Sequence, residues 1–214
     1  MEINAKQAQD IDSLLDTFQL SVLDSHPILA NWLDVSGNLN ADDDRLLKIL
    51  HDRITKYGDY WNEEELKINF IGLLFLLVDI DEEGKIKTFF ERSLSATIEN
   101  IPLSVKCDCL IASPKGKGTP KAPYFFLQEY KKQKGDKNDP EGQMMAAMLI
   151  AQEINQDKKS IYGTWIVGSI WWFAVLDGKN YIKSRKYDAA QKADLLQIVF
   201  ILRKLKELIL NRHL

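Results

Sequence analysis

The segment Tyr124-Phe125-Phe126-Leu127-Gln128-Glu129-Tyr130-Lys131 ends an apolar run with a carboxylate and an ammonium. In a β-strand, side chains two apart point to the same side, so Glu129 and Lys131 are expected to share a face with Phe125 and Leu127. Charges on such a face are costly to bury unless they are paired or bound to something. A second run, Val105 to Ala112, alternates Val105, Cys107, Cys109 and Ile111 against Asp108 and Leu110. Pairing of the two runs brings Asp108 beside Glu129, with Lys131 close by. Neighbouring carboxylates repel, and a hard divalent ion such as Mg²⁺ or Mn²⁺ relieves that repulsion while keeping water positions open. An ion so held polarises a phosphoryl oxygen and lowers the pKa of bound water. The lysine then orients the attacking water and counters charge that grows in the transition state. A structural reading stands beside this one: Glu129 and Lys131 as a cross-strand surface pair, and Asp108 as an edge charge that limits aggregation.

The elements that must position these groups follow from periodicity and punctuation. Helical spacing of Ile11, Leu14, Leu15, Phe18 and Val22 predicts a helix over 4–24, broken by Pro27 and Ser36-Gly37-Asn38. A second helix starts near Asp42 with Leu46, Leu47, Leu50 and Ile54 on one face. A third begins at Asn62, a good N-cap, with Glu63, Glu64 and Glu65 in its first turn and Leu66, Phe70, Leu73 and Leu77 inward. Lys87 to Ile98 reads as a strand, Glu99-Asn100-Ile101-Pro102 as a turn, Val105 to Ala112 and Tyr124 to Lys131 as two more strands. The stretch from Ser113 to Pro123, rich in Pro, Gly and Lys, reads as a loop. Asp139-Pro140 opens a helix reaching about Gln156. Thr164 to Ser169 is a strand, Trp171 to Ser184 a closing hairpin about Asp177-Gly178. Asp188 caps a long last helix with Leu195, Ile198, Leu202, Leu205 and Ile209 inward.

Val105-Lys106-Cys107-Asp108, then about twenty residues, then Glu129-Tyr130-Lys131, resembles the split motif of the PD-(D/E)XK phosphodiesterase superfamily. Cys107 stands where many members have proline. The family core is a helix, three strands, a helix and a strand, the order read here from Asn62 to Ser169. The resemblance covers about half of the chain. It implies an α/β (α+β) fold with a restriction-endonuclease-like core at 58–214, preceded by a helical extension at 1–57 and closed by a long C-terminal helix. It implies a Mg²⁺- or Mn²⁺-dependent nuclease, with Asp108 and Glu129 as metal ligands and Lys131 at the nucleophile. A glutamate on the first helix is often added; Glu63 fits best, with Glu64 as the fallback. A glutamine at the start of the second helix occurs in some members, and Gln143 matches that position. Other members have lost catalysis, so an inactive nucleic-acid-binding or protein-interaction module on the same fold is the alternative.

Bulk properties bound these readings. The 214 residues carry a net charge of −3, which gives no general pull toward nucleic acid. A local strip of lysines at 115, 117, 121, 131, 132, 134 and 137 supplies one, with Lys115, Lys117, Lys132 and Lys134 as expected phosphate contacts. The same lysines also read as solvated loops. Partners implied are nucleic acid, DNA ahead of RNA, and a possible homodimer. The two cysteines, Cys107 and Cys109, are expected on one face as buried thiols. Met1 to Asp16 has no apolar core of a signal peptide, and Phe70 to Val78 is too short to cross a membrane, so a cytoplasmic protein is expected. Trp165, Trp171 and Trp172 read as core, and His26, His51 and His213 form no triad or zinc spacing.

Overall fold

The computed structural model describes residues 9–116, 118–131 and 139–212. The chain runs through α1 (Ile11–Thr17), β1 (Ser21–Val22), α2 (Pro27–Leu33), α3 (Ala41–Tyr57) and α4 (Glu63–Leu66). A π-helical stretch, Lys67–Ile71, joins α4 to α5 (Gly72–Val78). There follow β2 (Lys87–Ile98), β3 (Ile101–Lys115), β4 (Thr119–Lys131), α6 (Pro140–Asn155) and β5 (Ile161–Val167). The chain closes with β6 (Ile170–Asp177), β7 (Asn180–Lys183), β8 (Tyr187–Asp188) and α7 (Lys192–Arg212). The expected mixture of helix and strand is therefore found, built on one eight-stranded mixed sheet. Its order is β1-β7-β6-β5-β4-β3-β2, with β8 paired to β6. The strands β2, β3 and β4 form an antiparallel meander, whereas β5 lies parallel to β4. Parallel neighbours require a crossover, and α6 supplies it.

Local chemistry sets many boundaries. Asn40 accepts from the Asp43 N–H at the head of α3, and Asp139 caps α6 with Pro140 at its first position. Glu99 and Asn100 both adopt left-handed backbone (φ 48° and 68°), which makes the β2–β3 turn two residues long and moves Ile101 and Pro102 into β3. Three expectations are corrected. Pro27 opens α2 rather than ending a helix, with the His26 ring accepting from the Ile28 N–H. The helix expected over 4–24 is, within the described residues, only α1, and Ser21–Val22 pair with β7 instead. The expected loop at Ser113–Pro123 is largely the paired end of the β3–β4 hairpin, where Pro114 pairs with Pro120 and a register shift between Ala112 and Ser113 passes over Ala122-Pro123.

Helices cover both faces of the sheet. One face packs Trp32, Leu50, Phe70, Leu74, Phe126, Trp171, Ile198 and Leu202 together. The other packs Leu14, Phe18, Leu110, Leu127, Met144, Met148 and Leu176. The inward residues expected on α7 are buried. Residues 9–57 contribute to both layers, with α1 against α6 and α2 and α3 against the opposite face. Arg203 of α7 ties α3 to α5 through Asp43 at 2.8 Å and the Leu77 carbonyl at 2.9 Å. Among the described residues no helix is long and apolar enough to cross a membrane.

Candidate functional site

The β3–β4 ladder runs from Lys115↔Thr119 to Cys109↔Gln128 and stops there. Strand β4 continues along β5 to Lys131↔Val167, while β3 continues along β2 to Ile101↔Ile98. The two strands thus part at Asp108 and Glu129, opening a fork within the sheet. Backbone groups in such a fork lose their ladder partners and must find others. The Asp108 carboxylate serves one of them, its Oδ2 accepting from the Tyr130 N–H at 2.8 Å. The Glu129 carboxyl lies against both the side chain and the backbone N–H of Asp108. It is 1 % exposed, and its Oε1 has no hydrogen-bond partner. Burial and the charge of Asp108 push Glu129 well above the usual carboxylate range; Lys131 opposes this without offsetting it. The expected convergence of the two acids is therefore present.

Lys131 is 7 % exposed, and its Nζ lies 3.6 Å from Glu63 Oε1. The three acids that open α4 have different partners. Glu63 reaches toward Lys131, Glu64 pairs with Lys67 at 2.7 Å, and Glu65 closes a capping box on the Asn62 N–H at 2.9 Å. Of the two first-helix candidates, Glu63 is the one beside the strand lysine.

Lys67 is a member of this cluster that the residue pattern did not reveal. It is 9 % exposed, and its Nζ contacts Glu64, Glu91 and, at 3.8 Å, Oδ1 of Asp108. Burial pushes the ammonium toward deprotonation, but hydrogen bonds to Glu64 and Glu91 and the charge of Asp108 prevail, and its pKa is raised. A regular helix with Leu66, Phe70, Leu73 and Leu77 inward leaves position 67 at the margin. The π-helical stretch adds a residue to that turn and brings Lys67, Phe70 and Ile71 inward together. Opposite it, Glu91 has a left-handed backbone (φ 54°), and the β2–β3 ladder omits the pair Glu91 and Asp108 between Phe90↔Cys109 and Arg92↔Cys107. Lys106 completes the group, 2.5 Å from Glu91 Oε2.

The irregular step at Asp108 also corrects the face assignments. Cys107 packs with the α6-side cluster and Cys109 with the opposite one, both as free thiols, because the alternation slips between them. Phe125 packs opposite to Leu127 because the β3–β4 register shifts between Ile111↔Phe126 and Ala112↔Tyr124.

The remaining candidates lie elsewhere. Gln143 stands in the first turn of α6, and its Nε2 donates to Gln9 Oε1 at 3.2 Å, while its own Oε1 is buried without a partner. Lys115 is exposed at the far end of β3, seven residues from Asp108. At 3.2–3.4 Å per residue that is roughly 20 Å from the fork. Lys117, Lys132, Lys134, Lys137 and His213 lie outside the described residues. Trp165 and Trp171 are buried, and Trp165 stacks on Trp172 at 5.3 Å.

Among the described residues no three His, Cys, Asp or Glu side chains are gathered as a ready-made metal cage. Two contacting carboxyls with one unpartnered buried oxygen nevertheless suit Mg²⁺ or Mn²⁺, since Mg²⁺ is commonly held through one or two carboxylates with water completing its shell. No family model matches the chain, and no curated protein sequence matches it.

Proposed function

We propose that this protein is a Mg²⁺- or Mn²⁺-dependent nuclease of the PD-(D/E)XK kind, hydrolysing phosphodiesters in nucleic acid, DNA ahead of RNA. The observation that carries this reading is the buried Glu129 carboxyl, with an unpartnered oxygen, pressed against Asp108 beside Lys131. The succession of α4–α5, β2, β3, β4, α6 and β5 supports it, because it suits a core of helix, three strands, helix and strand. Asp108 and Glu129 would hold the ion, which when bound would supply Lewis-acid polarisation and lower the pKa of a water. Burial and Asp108 disfavour the charged form of Glu129, and a divalent ion on the pair would favour it. Lys131, steadied by Glu63, orients the attacking water and counters charge on the phosphoryl oxygens through its Nζ.

Plasmid and single-stranded DNA are expected to be cut in the presence of Mg²⁺ or Mn²⁺. Lys131→Ala is expected to be slower by on the order of 100-fold, as for loss of one transition-state donor. Equal traces of cutting by both proteins mean contamination and remove the enzyme reading. One observation favours a second reading, a non-catalytic nucleic-acid-binding or protein-interaction module: Lys67 already places a positive charge beside Asp108. Calorimetric titration with Mn²⁺ separates the two, since heat of binding supports the nuclease and its absence supports the module.

A further inference from the structure

We infer that Lys67 is a tethered competitor of the divalent ion: it shares Asp108 with the metal and so weakens metal binding at the fork. This rests on the reading of Asp108 and Glu129 as the metal-binding pair.

Two departures from regular backbone converge on one atom, Nζ of Lys67. The π-helical stretch turns the side chain inward from the helix. The left-handed Glu91 brings a carboxylate onto it from the edge strand. A non-glycine residue keeps a left-handed backbone only where its surroundings hold it there. Glu64 and Glu91 grip the ammonium from the solvent side, whereas Asp108, 14 % exposed, meets it from inside. The ammonium thus stands at the carboxylate that a metal must also use. At 3.8 Å from Oδ1 it offsets part of the charge of Asp108. A divalent ion arriving on the same carboxylate meets the repulsion of a fixed, poorly solvated positive charge. Glu91 governs how strongly this competition is felt. Its carboxylate, shared with Lys106, draws Lys67 outward and, with Glu64, divides its charge among three acids. Lys106 is the natural control, because it carries the same charge and touches Glu91 but is largely exposed.

The experiment is a calorimetric Mn²⁺ titration of chelator-treated full-length protein, with circular dichroism confirming the fold of every variant. Lys67→Met is expected to bind Mn²⁺ about tenfold tighter than wild type, the effect of removing one unit charge a few ångströms away. Lys67→Arg is expected to restore wild-type affinity. Glu91→Gln, which leaves Lys67 to Glu64 and Asp108, is expected to bind several-fold weaker, and Lys106→Met to bind as wild type does. If Lys67→Met destabilises the fold, Lys67→Gln serves in its place, and the weakening in Glu91→Gln is read independently. Uptake by Lys67→Met but not by wild type supports the competition in its strongest form. Equal or weaker binding by folded Lys67→Met, with wild type binding normally, overturns the inference and leaves the metal pair standing. Tightening in Lys106→Met equal to that in Lys67→Met also overturns it, since net charge then explains both. Absence of Mn²⁺ uptake by wild type and every variant overturns the metal pair and this inference together.

Discussion

At the scale of single residues, Glu129 concentrates the electrostatics of the fork. Its folded-state pKa lies above the ordinary value of 4.5, because burial and Asp108 disfavour the charged form. Between those two values the folded chain holds a proton that the unfolded chain has released. Stability therefore falls as pH rises from about 4.5 toward the folded-state value, each unit of difference amounting to about 1.4 kcal/mol. Glu129→Gln keeps the shape and removes the ionisation. In chelator-containing buffer this variant is expected to melt above wild type near neutral pH, with the gap closing toward acid. Melting curves recorded across that range check it, and a pH-independent gap rules out the assigned origin. Lys67 follows the same sign in a different window: its raised pKa contributes stability that is complete below 10.5 and is lost only in strong alkali.

Among the elements, α6 shows how a short motif positions a larger piece. Asp139 accepts from the Gly142 N–H at 3.0 Å and from the Ile11 N–H at 2.9 Å, so one carboxylate caps α6 and anchors the start of α1. Gly142 is glycine because a Cβ there would stand 2.2 Å from the Gln9 carbonyl oxygen. Gly142→Ala is expected to lower stability by about 1–3 kcal/mol, as for other forced overpacking. Limited proteolysis should also cut ahead of Ile11 more readily in that variant. A melting temperature equal to wild type with unchanged cleavage would disprove that role for the close contact. Elements with such local signals were legible in the residues: Asp139-Pro140, the bounds of β2 and the inward stripe of α7. Asp108, Glu129, Lys131 and Glu63 were also legible as neighbours, because pairing of the two strands and a first-turn position bring them together, although the faces expected from simple alternation were not kept. What sequence reading missed depends on distant partners. The two residues of β1 become a strand only through β7, Pro27 reads equally as an end or a beginning, and Gln143 meets Gln9 rather than the acids. Lys67 and Glu91 escaped notice because each relies on a backbone irregularity that no local residue type demands.

Across the whole molecule, residues 9–57 behave as part of the core. Trp32 is fully buried, meets Phe126, Tyr162 and Phe173 edge to face, and donates its Nε1–H to the Ile201 carbonyl at 2.9 Å. It therefore joins α2 to the sheet and to α7 at one point. Trp32→Ala is expected to cost about 3–5 kcal/mol, as other large truncations in packed cores do. Urea unfolding checks this, and a loss under about 1 kcal/mol would place α2 outside the cooperative unit.

The sheet ends on one side at β2, whose twelve residues offer a long border to any stray extended chain. Halfway along that border the peptide at Glu91 is rotated out of line, with exposed Arg92 and Ser93 after it. A foreign strand laid against it would lose its run of hydrogen bonds there and confront charge instead. One twisted peptide thus both feeds the interior ammonium and denies the molecule a template for fibre growth. Straightening it could therefore make the protein stickier even where its chemistry survived.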